Sequence, residues 1–265
     1  MLPLICIDVD GTLVGSTHEP TDAVWAAAAA AVDRGQHLAL STARGAFGVT
    51  IDYARRLDPD GWHIFHNGAS LVHTGSGEVR STPLPEGVVE VAAEVSERNG
   101  WVLEVYSADD YVADTAADPA IEHAAMLGLE HRARPLTDLE GEIVRVQFVV
   151  PLEVVKWVQT EMAGLGIDVV SATSPVMPGT AFVSCTTSGV TKGTAIEAIA
   201  AELGTTAERA MMVGDGHNDL DAVQTAGYGV AMGNAVAALK DAARYVVADV
   251  DDDGLVEALE LSATL

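Results

Sequence analysis

Two aspartates, Asp8 and Asp10, follow directly on a short apolar run, Leu4 to Ile7, and precede Gly11-Thr12. An apolar run of this length reads as a buried strand, and Gly-Thr ends it. Side chains two residues apart do not share a helical face, so these carboxylates converge only where a strand opens into a loop. Carboxylates forced together repel and are costly to desolvate. A divalent cation relieves both costs, and hard Mg2+ takes carboxylate and carbonyl oxygens. Taken alone, Asp-x-Asp-Gly is also an ordinary turn composition.

Three further clusters carry matching chemistry. Ser41-Thr42-Ala43-Arg44-Gly45 closes a strand expected over His37 to Leu40. It places the Thr42 hydroxyl at a strand-to-helix turn, where free amides favour an anion. Lys192, also expected at a helix start, offers a point positive charge. Gly214-Asp215-Gly216-His217-Asn218-Asp219 ends an expected strand over Ala210 to Val213 with two more carboxylates and an amide. Hydroxyl, amides, ammonium and Mg2+ are the parts that phosphoryl transfer needs, because that chemistry is mostly positioning and charge neutralisation.

The elements that must position these groups alternate. A helix from Asp22 to about Arg34 stops at Gly35; a strand at His37 to Leu40 and a helix from about Phe47 to Leu57 follow. Trp62 to His66 reads as a third strand, ending in Asn67-Gly68-Ala69. This alternation implies a parallel α/β sheet, whose ligands bind at the carboxyl ends of the strands. Residues 69 to 80 read as a hairpin, and Thr82 to Pro85 as a linker. Strands then come in runs, at Trp101 to Ser107, Tyr111 to Ala113, Val144 to Val150, Asp168 to Ala172 and Ala181 to Thr186. Helices are expected at Gly87 to Arg98, Ala120 to Leu127 and Leu152 to Leu165. Runs of this kind indicate an α+β module. Strict alternation returns at Ser188. The expected organisation is a discontinuous α/β core, 1–82 and 187–265, with an α+β insertion over 83–186.

Composition narrows the function classes. The chain has 265 residues, 49% of them hydrophobic, with mean hydropathy +0.23, enough for a substantial core. A net charge of −25 and a pI near 4.3 argue against nucleic-acid and anionic-membrane partners. An anionic substrate must therefore meet local positive charge. No apolar stretch is long enough to span a membrane. Asp8 and Asp10 interrupt the first apolar run, which argues against a signal peptide. Cys6 and Cys185 sit in apolar strand-like runs and read as buried, reduced thiols of a cytoplasmic protein.

In this order, Asp8-Val9-Asp10-Gly11-Thr12, Thr42, Lys192 and Gly214-Asp215-x-x-Asn218-Asp219 resemble the four motifs of the haloacid dehalogenase superfamily. The insertion between the second and third resembles a type C2 cap. Asn67-Gly68-Ala69 and Gly233-Asn234-Ala235 look like the Cof-type subgroup of phosphatases. The resemblance implies a Rossmann-like core with an inserted cap and a Mg2+-dependent phosphatase acting on a small phosphorylated metabolite, a sugar phosphate by default. Asp8 is then the nucleophile that forms an aspartyl-phosphate, and Asp10 the general acid and base. Mg2+ is held by Asp8, the Asp10 carbonyl and Asp215. Thr42, the Ala43 amide, Lys192 and Asn218 hold phosphate. Asp219 supports Lys192 or a metal-bound water, and Thr12, Arg44 and Asn67 serve substrate or support. The family usually has glycine where Ala43 stands; its methyl is tolerated if φ is negative. Two other readings stay open: a binding or regulatory protein on this scaffold, and transfer of phosphate to an acceptor other than water. The intact set of acidic and basic residues weighs against the first.

Several patterns read as distractors. Asp249-x-Asp251-x-Asp253-Gly254 with Glu260 matches EF-hand spacing, but a helix is required on each side and a strand is expected before it. Asn67-Gly68 is also an ordinary turn. His63, His66 and His73 lie on strand and hairpin positions and are not expected to bind metal. Tyr106, on a strand of the insertion, reads equally as a site-facing or a core residue.

Overall fold

All four residues of Leu4–Ile7 are buried and form β1. The chain continues through α1 (Asp22–Asp33), β2 (His37–Leu40), α2 (Gly48–Leu57), β3 (Trp62–Phe65), β4 (Ser70–His73) and β5 (Val79–Ser81). Next come α3 (Val88–Asn99), β6 (Val102–Tyr106), β7 (Tyr111–Ala113), α4 (Asp118–Met126), β8 (Arg145–Pro151), α5 (Val155–Glu161), β9 (Ile167–Thr173) and β10 (Thr180–Thr187). The last are α6 (Lys192–Glu202), β11 (Ala210–Gly214), α7 (Leu220–Thr225), β12 (Tyr228–Ala231), α8 (Ala237–Ala242), β13 (Tyr245–Val246) and α9 (Gly254–Thr264). This computed structural model describes every residue except Pro175. Residues 1–44, 52–80 and 191–265 form one compact unit, and 45–51 with 81–190 a second.

The first unit is a parallel sheet in the order β13-β12-β11-β1-β2, a Rossmann-like arrangement. β1 lies at its heart, with Ile7 level with Leu40 on one side and Val213 on the other. The residues that follow β1, β2 and β11 therefore emerge at one edge, which brings the distant residues 8, 42 and 215 to the same end of the sheet.

β3 departs from the expected third parallel strand. It pairs antiparallel with β4 and meets β2 at a single parallel bridge, Ser41 to Ile64. Side chains occupy the ladder instead. Leu40 N–H donates to His63 Nδ1 at 3.0 Å, and Leu38 N–H to Asp58 Oδ2 at 3.4 Å. His63 is wholly buried, which pushes its pKa down to about 4 and keeps the ring neutral, as an acceptor must be.

The second unit is an antiparallel sheet, β7-β6-β8-β10-β9. On one face Val88, Ala92 and Val95 of α3 and Val158 of α5 cover Val105, Val146, Phe148 and Cys185. On the other, Glu104, Gln147 and Ser184 stand abreast on β6, β8 and β10. Tyr106 Oη and Gln147 Nε2 donate to Glu104 at 2.5 and 2.9 Å, and His123 Nδ1 lies 2.7 Å from it. Burial opposes ionisation of Glu104, but His123, Tyr106 and Arg145 outweigh it and hold the carboxyl below its ordinary range. Tyr106 is thus a core residue of this unit, buried and engaged. The helix expected over Leu152 to Leu165 splits into a 3-10 turn (Leu152–Val154) and α5, and stops early. Met162 caps it, and Gly164 and Gly166, both at positive φ, shape the turn that follows.

Both cysteines are buried and unpaired with each other, and no helix among the described residues is long and apolar enough to cross a membrane.

Candidate active site

Asp8 is the first residue past β1. Its N–H donates to Val213 O at 3.0 Å, so the β1–β11 ladder runs up to the functional residue. The next residues turn sharply: Gly11 takes φ +82°, and a Cβ there would meet Asp215 Oδ2 at 2.2 Å. Only glycine lets the first loop pass so close to the carboxylate that follows β11.

Lys192 opens α6. Thr191 caps that helix, accepting from Thr194 N–H while the Thr194 hydroxyl accepts from Thr191 N–H. The cap fixes the side chain that follows it. Lys192 is 1% exposed, with Nζ 2.6 Å from both Asp8 Oδ1 and Asp219 Oδ1. The other Asp219 oxygen accepts from the N–H groups of Asp215 and Gly216, at 3.0 Å each. Asp219 thereby holds the loop after β11 and the ammonium at once.

Oxygens of Asp8, Asp215 and Asp219 lie within 4.8 Å of one another. Three carboxylates against one ammonium leave an excess of negative charge at the centre. Burial, then Asp219, pushes Asp8 well above the usual carboxylate range, with Lys192 acting against them. Asp215 is pushed up to about 6, by burial first and Asp219 second. Burial alone would depress Lys192, but Asp219 and Asp8 more than offset it and the ammonium stays charged. Carboxylates that resist ionisation until positive charge arrives suit a hard divalent cation, and all donors here are oxygen. The fit rests on Asp8 and Asp215, because Asp219 is already fully engaged by the protein.

Asp10 lies apart from that cluster by its side chain. Arg44 takes both oxygens, Nε at 3.0 Å and Nη2 at 2.5 Å, and the Asp10 side chain is 65% exposed. Arg44 thus holds the Asp10 carboxylate outside the buried cluster. Thr42 is buried, but not at a helix start. Its hydroxyl accepts from Arg44 N–H at 3.1 Å, and α2 begins only at Gly48. The bond from Arg44 N–H closes a local turn at Thr42, and the helix itself begins within one residue of where it is expected. Amides near Thr42 are therefore those of a turn, without a helix axis behind them. Ala43 is absent from the positive-φ residues, so its methyl carries no backbone strain.

Asn67 N–H donates to Thr42 O, and His66 N–H to Arg44 O, each at 2.9 Å. Both residues sit at positive φ, and Gly68 packs so tightly on Thr191 that a Cβ would meet its carbonyl at 2.2 Å. This turn ties the Thr42 loop to the start of α6, and the buried Asn67 Oδ1 keeps an unused acceptor. Thr12 is buried beside the Gly11 turn. Asn218 stands exposed one residue before Asp219, in a 3-10 turn.

The EF-hand pattern folds otherwise. β13 precedes it, Val250–Asp252 is a 3-10 turn, and Glu260 is exposed on α9. Sequence reasoning missed Asn234, which bonds Gly11 O at 2.8 Å; a Gly-Asn-Ala triplet at a strand end was its only signal.

The chain is similar to known proteins along nearly its whole length. YxeH of Bacillus subtilis is 26% identical over 267 residues, 98% of this chain and 97% of its own. A haloacid dehalogenase-like hydrolase from Bacteroides thetaiotaomicron superposes with a TM-score of 0.86 at 27% identity, covering 98% of this chain and 99% of that one. The HAD subclass IIB sugar phosphatase BT4131 gives a TM-score of 0.82 at 25% identity, covering 99% of each chain. The family model for haloacid dehalogenase-like hydrolases matches residues 5–259, and the chain belongs to that family.

Proposed function

We propose that the chain is a Mg2+-dependent phosphomonoester hydrolase of the Cof-type branch, acting on a small phosphorylated metabolite through an aspartyl-phosphate. The observation that carries the reading is the buried Asp8, held by Lys192 beside Asp215 with negative charge left over. The chain is a phosphatase by family, and its likeness to the sugar phosphatase BT4131 makes a sugar phosphate the favoured substrate class. Within this reading, 1–82 and 187–265 are the hydrolase core and 83–186 an inserted cap.

Asp8 and Asp215 hold the Mg2+ with the Asp10 carbonyl; bound there, the cation offsets the charge of nucleophile and phosphate. A free oxygen of Asp8 attacks phosphorus, a bond forms between them, and the bond to the leaving alkoxide breaks. Asp10 gives that alkoxide a proton, then takes one from the water that attacks the aspartyl-phosphate and releases phosphate. Arg44 fixes where the Asp10 carboxylate sits. Lys192, the Thr42 hydroxyl, the Ala43 amide and Asn218 receive the phosphate oxygens. Thr12 and Asn67 support the two loops.

A panel of sugar phosphates and other phosphomonoesters, assayed for phosphate release with Mg2+ and then with EDTA, tests the reading. Metal-dependent release with a preference for sugar phosphates is expected. No release from any ester, with Mg2+ bound, would move the assignment to a binding protein.

A further inference from the structure

Asn234 follows β12 on the surface of the first unit. Its Nδ2 donates to Gly11 O at 2.8 Å and reaches Asp215 Oδ2 at 3.4 Å, while its Oδ1 accepts from Val250 N–H at 3.0 Å. A carbonyl only accepts and a backbone N–H only donates, so these partners fix which way the amide faces. One side chain thus joins the loop that carries Asp10, the carboxylate after β11 and the acidic turn 249–253.

That turn grips the same loop elsewhere. Asp251 Oδ1 accepts from Ser16 N–H at 2.9 Å, and Asp253 Oδ1 accepts from the Thr21 hydroxyl at 2.6 Å. Asp249 Oδ1 accepts from Asp251 N–H at 3.1 Å and shapes the turn. Gly15 passes so close that a Cβ would meet Asp251 Oδ1 at 2.2 Å. Local turns bind residues 8–14 to one another, with Gly11 N–H on Val14 O and Val14 N–H on Val9 O at 2.9 Å each, whereas residues 15–21 hold no strand or α-helix and lean on the acidic turn at Ser16 and Thr21.

We propose that Asn234 and Asp251 are positioning residues: they clasp the loop after β1 at Gly11 and Ser16 and set the Asp215 carboxylate for its cation. The EF-hand-like spacing of Asp249, Asp251 and Asp253 is then spent on hydrogen bonds to the protein. The inference rests on the proposed Mg2+ site, and partners of this kind govern metal affinity by 10- to 100-fold in other sites.

The test is Mg2+ binding by calorimetry, which needs no substrate, on wild type, N234A, D251A and D251N, with thermal melting beside it. N234A should bind Mg2+ about 10-fold more weakly. Excess Mg2+ should restore its kcat, separating positioning from a general loss of fold. D251A should weaken binding in the same sense, and it carries the test if N234A does not fold. The conservative D251N keeps an oxygen for Ser16 N–H and should restore wild-type affinity. Wild-type affinity in both alanine variants would overturn the proposal, as would a Ca2+ site in the wild type that D251N abolishes. If wild type binds Mg2+ yet hydrolyses no ester, the proposed function fails while calorimetry still decides the clasp.

Discussion

Replacing Lys192 by Met removes the one positive charge between Asp8 and Asp219 while nearly preserving side-chain volume. Both partners are buried, at 5% and 0% exposure, and each lies 2.6 Å from Nζ. Asp219 keeps two backbone N–H donors on its other oxygen, so the loss falls mainly on Asp8. Leaving a buried partner uncompensated costs about 3–5 kcal/mol. For a chain of this size that corresponds to a melting temperature lower by about 10 °C. The effect carries a pH signature. Lys192 stays charged in the wild type, and burial already displaces Asp8 upward, so removing the ammonium displaces it further. Falling pH favours a proton on Asp8, which relieves the penalty, so the loss should shrink from about pH 8 to about pH 5. Thermal melts of K192M and wild type at the two pH values, without Mg2+, read this directly. The expected loss is smaller at the lower pH. A loss under about 3 °C at pH 8, or one equal at both pH values, would refute the reasoning.

Other perturbations follow from the same geometry. G11A places a methyl 2.2 Å from Asp215 Oδ2 at φ +82°, so it should lower stability by about 1–2 kcal/mol from backbone strain alone and abolish calorimetric Mg2+ binding. Asp215, raised to about 6, binds its proton more tightly folded than unfolded. Metal-free stability should therefore fall as pH rises from about 4 to about 6 and then level, and Mg2+ stabilisation, read by melting, should grow across that window. R44A frees an exposed Asp10 carboxylate and should cost under about 1 kcal/mol in denaturant unfolding, yet lower kcat far more than KM for the phosphomonoester changes.

The strand ends were legible because they combine two independent signals, an apolar run and a polar residue type with a purpose. Leu4–Ile7 before Asp8 and Ala210–Gly214 before Asp215 both fold as read. The order in which strands pair was only partly legible. Trp62–Phe65 has the pattern of a buried strand, but nothing in it announces that His63 and Asp58 side chains take the place of a backbone ladder. The Thr42 turn misled for a related reason. A hydroxyl before a helical pattern reads as a helix start, whereas the Thr42 hydroxyl accepts from Arg44 N–H in a local turn and the helix starts at Gly48, one residue from its expected start. Asn234 was invisible in role because its three partners lie 16 to 223 residues away in sequence. The acidic turn shows the reverse error: a complete motif spacing whose carboxylates bind the protein's own N–H and O–H groups.

The most direct test of the central claim is to quench the enzyme with acid during turnover of a sugar phosphate it hydrolyses and map the phosphorylated peptide by mass spectrometry. A phosphoryl group on Asp8 is expected in the wild type, with neither adduct nor turnover in D8N. Turnover that persists in D8N, or an adduct on another residue, would contradict it.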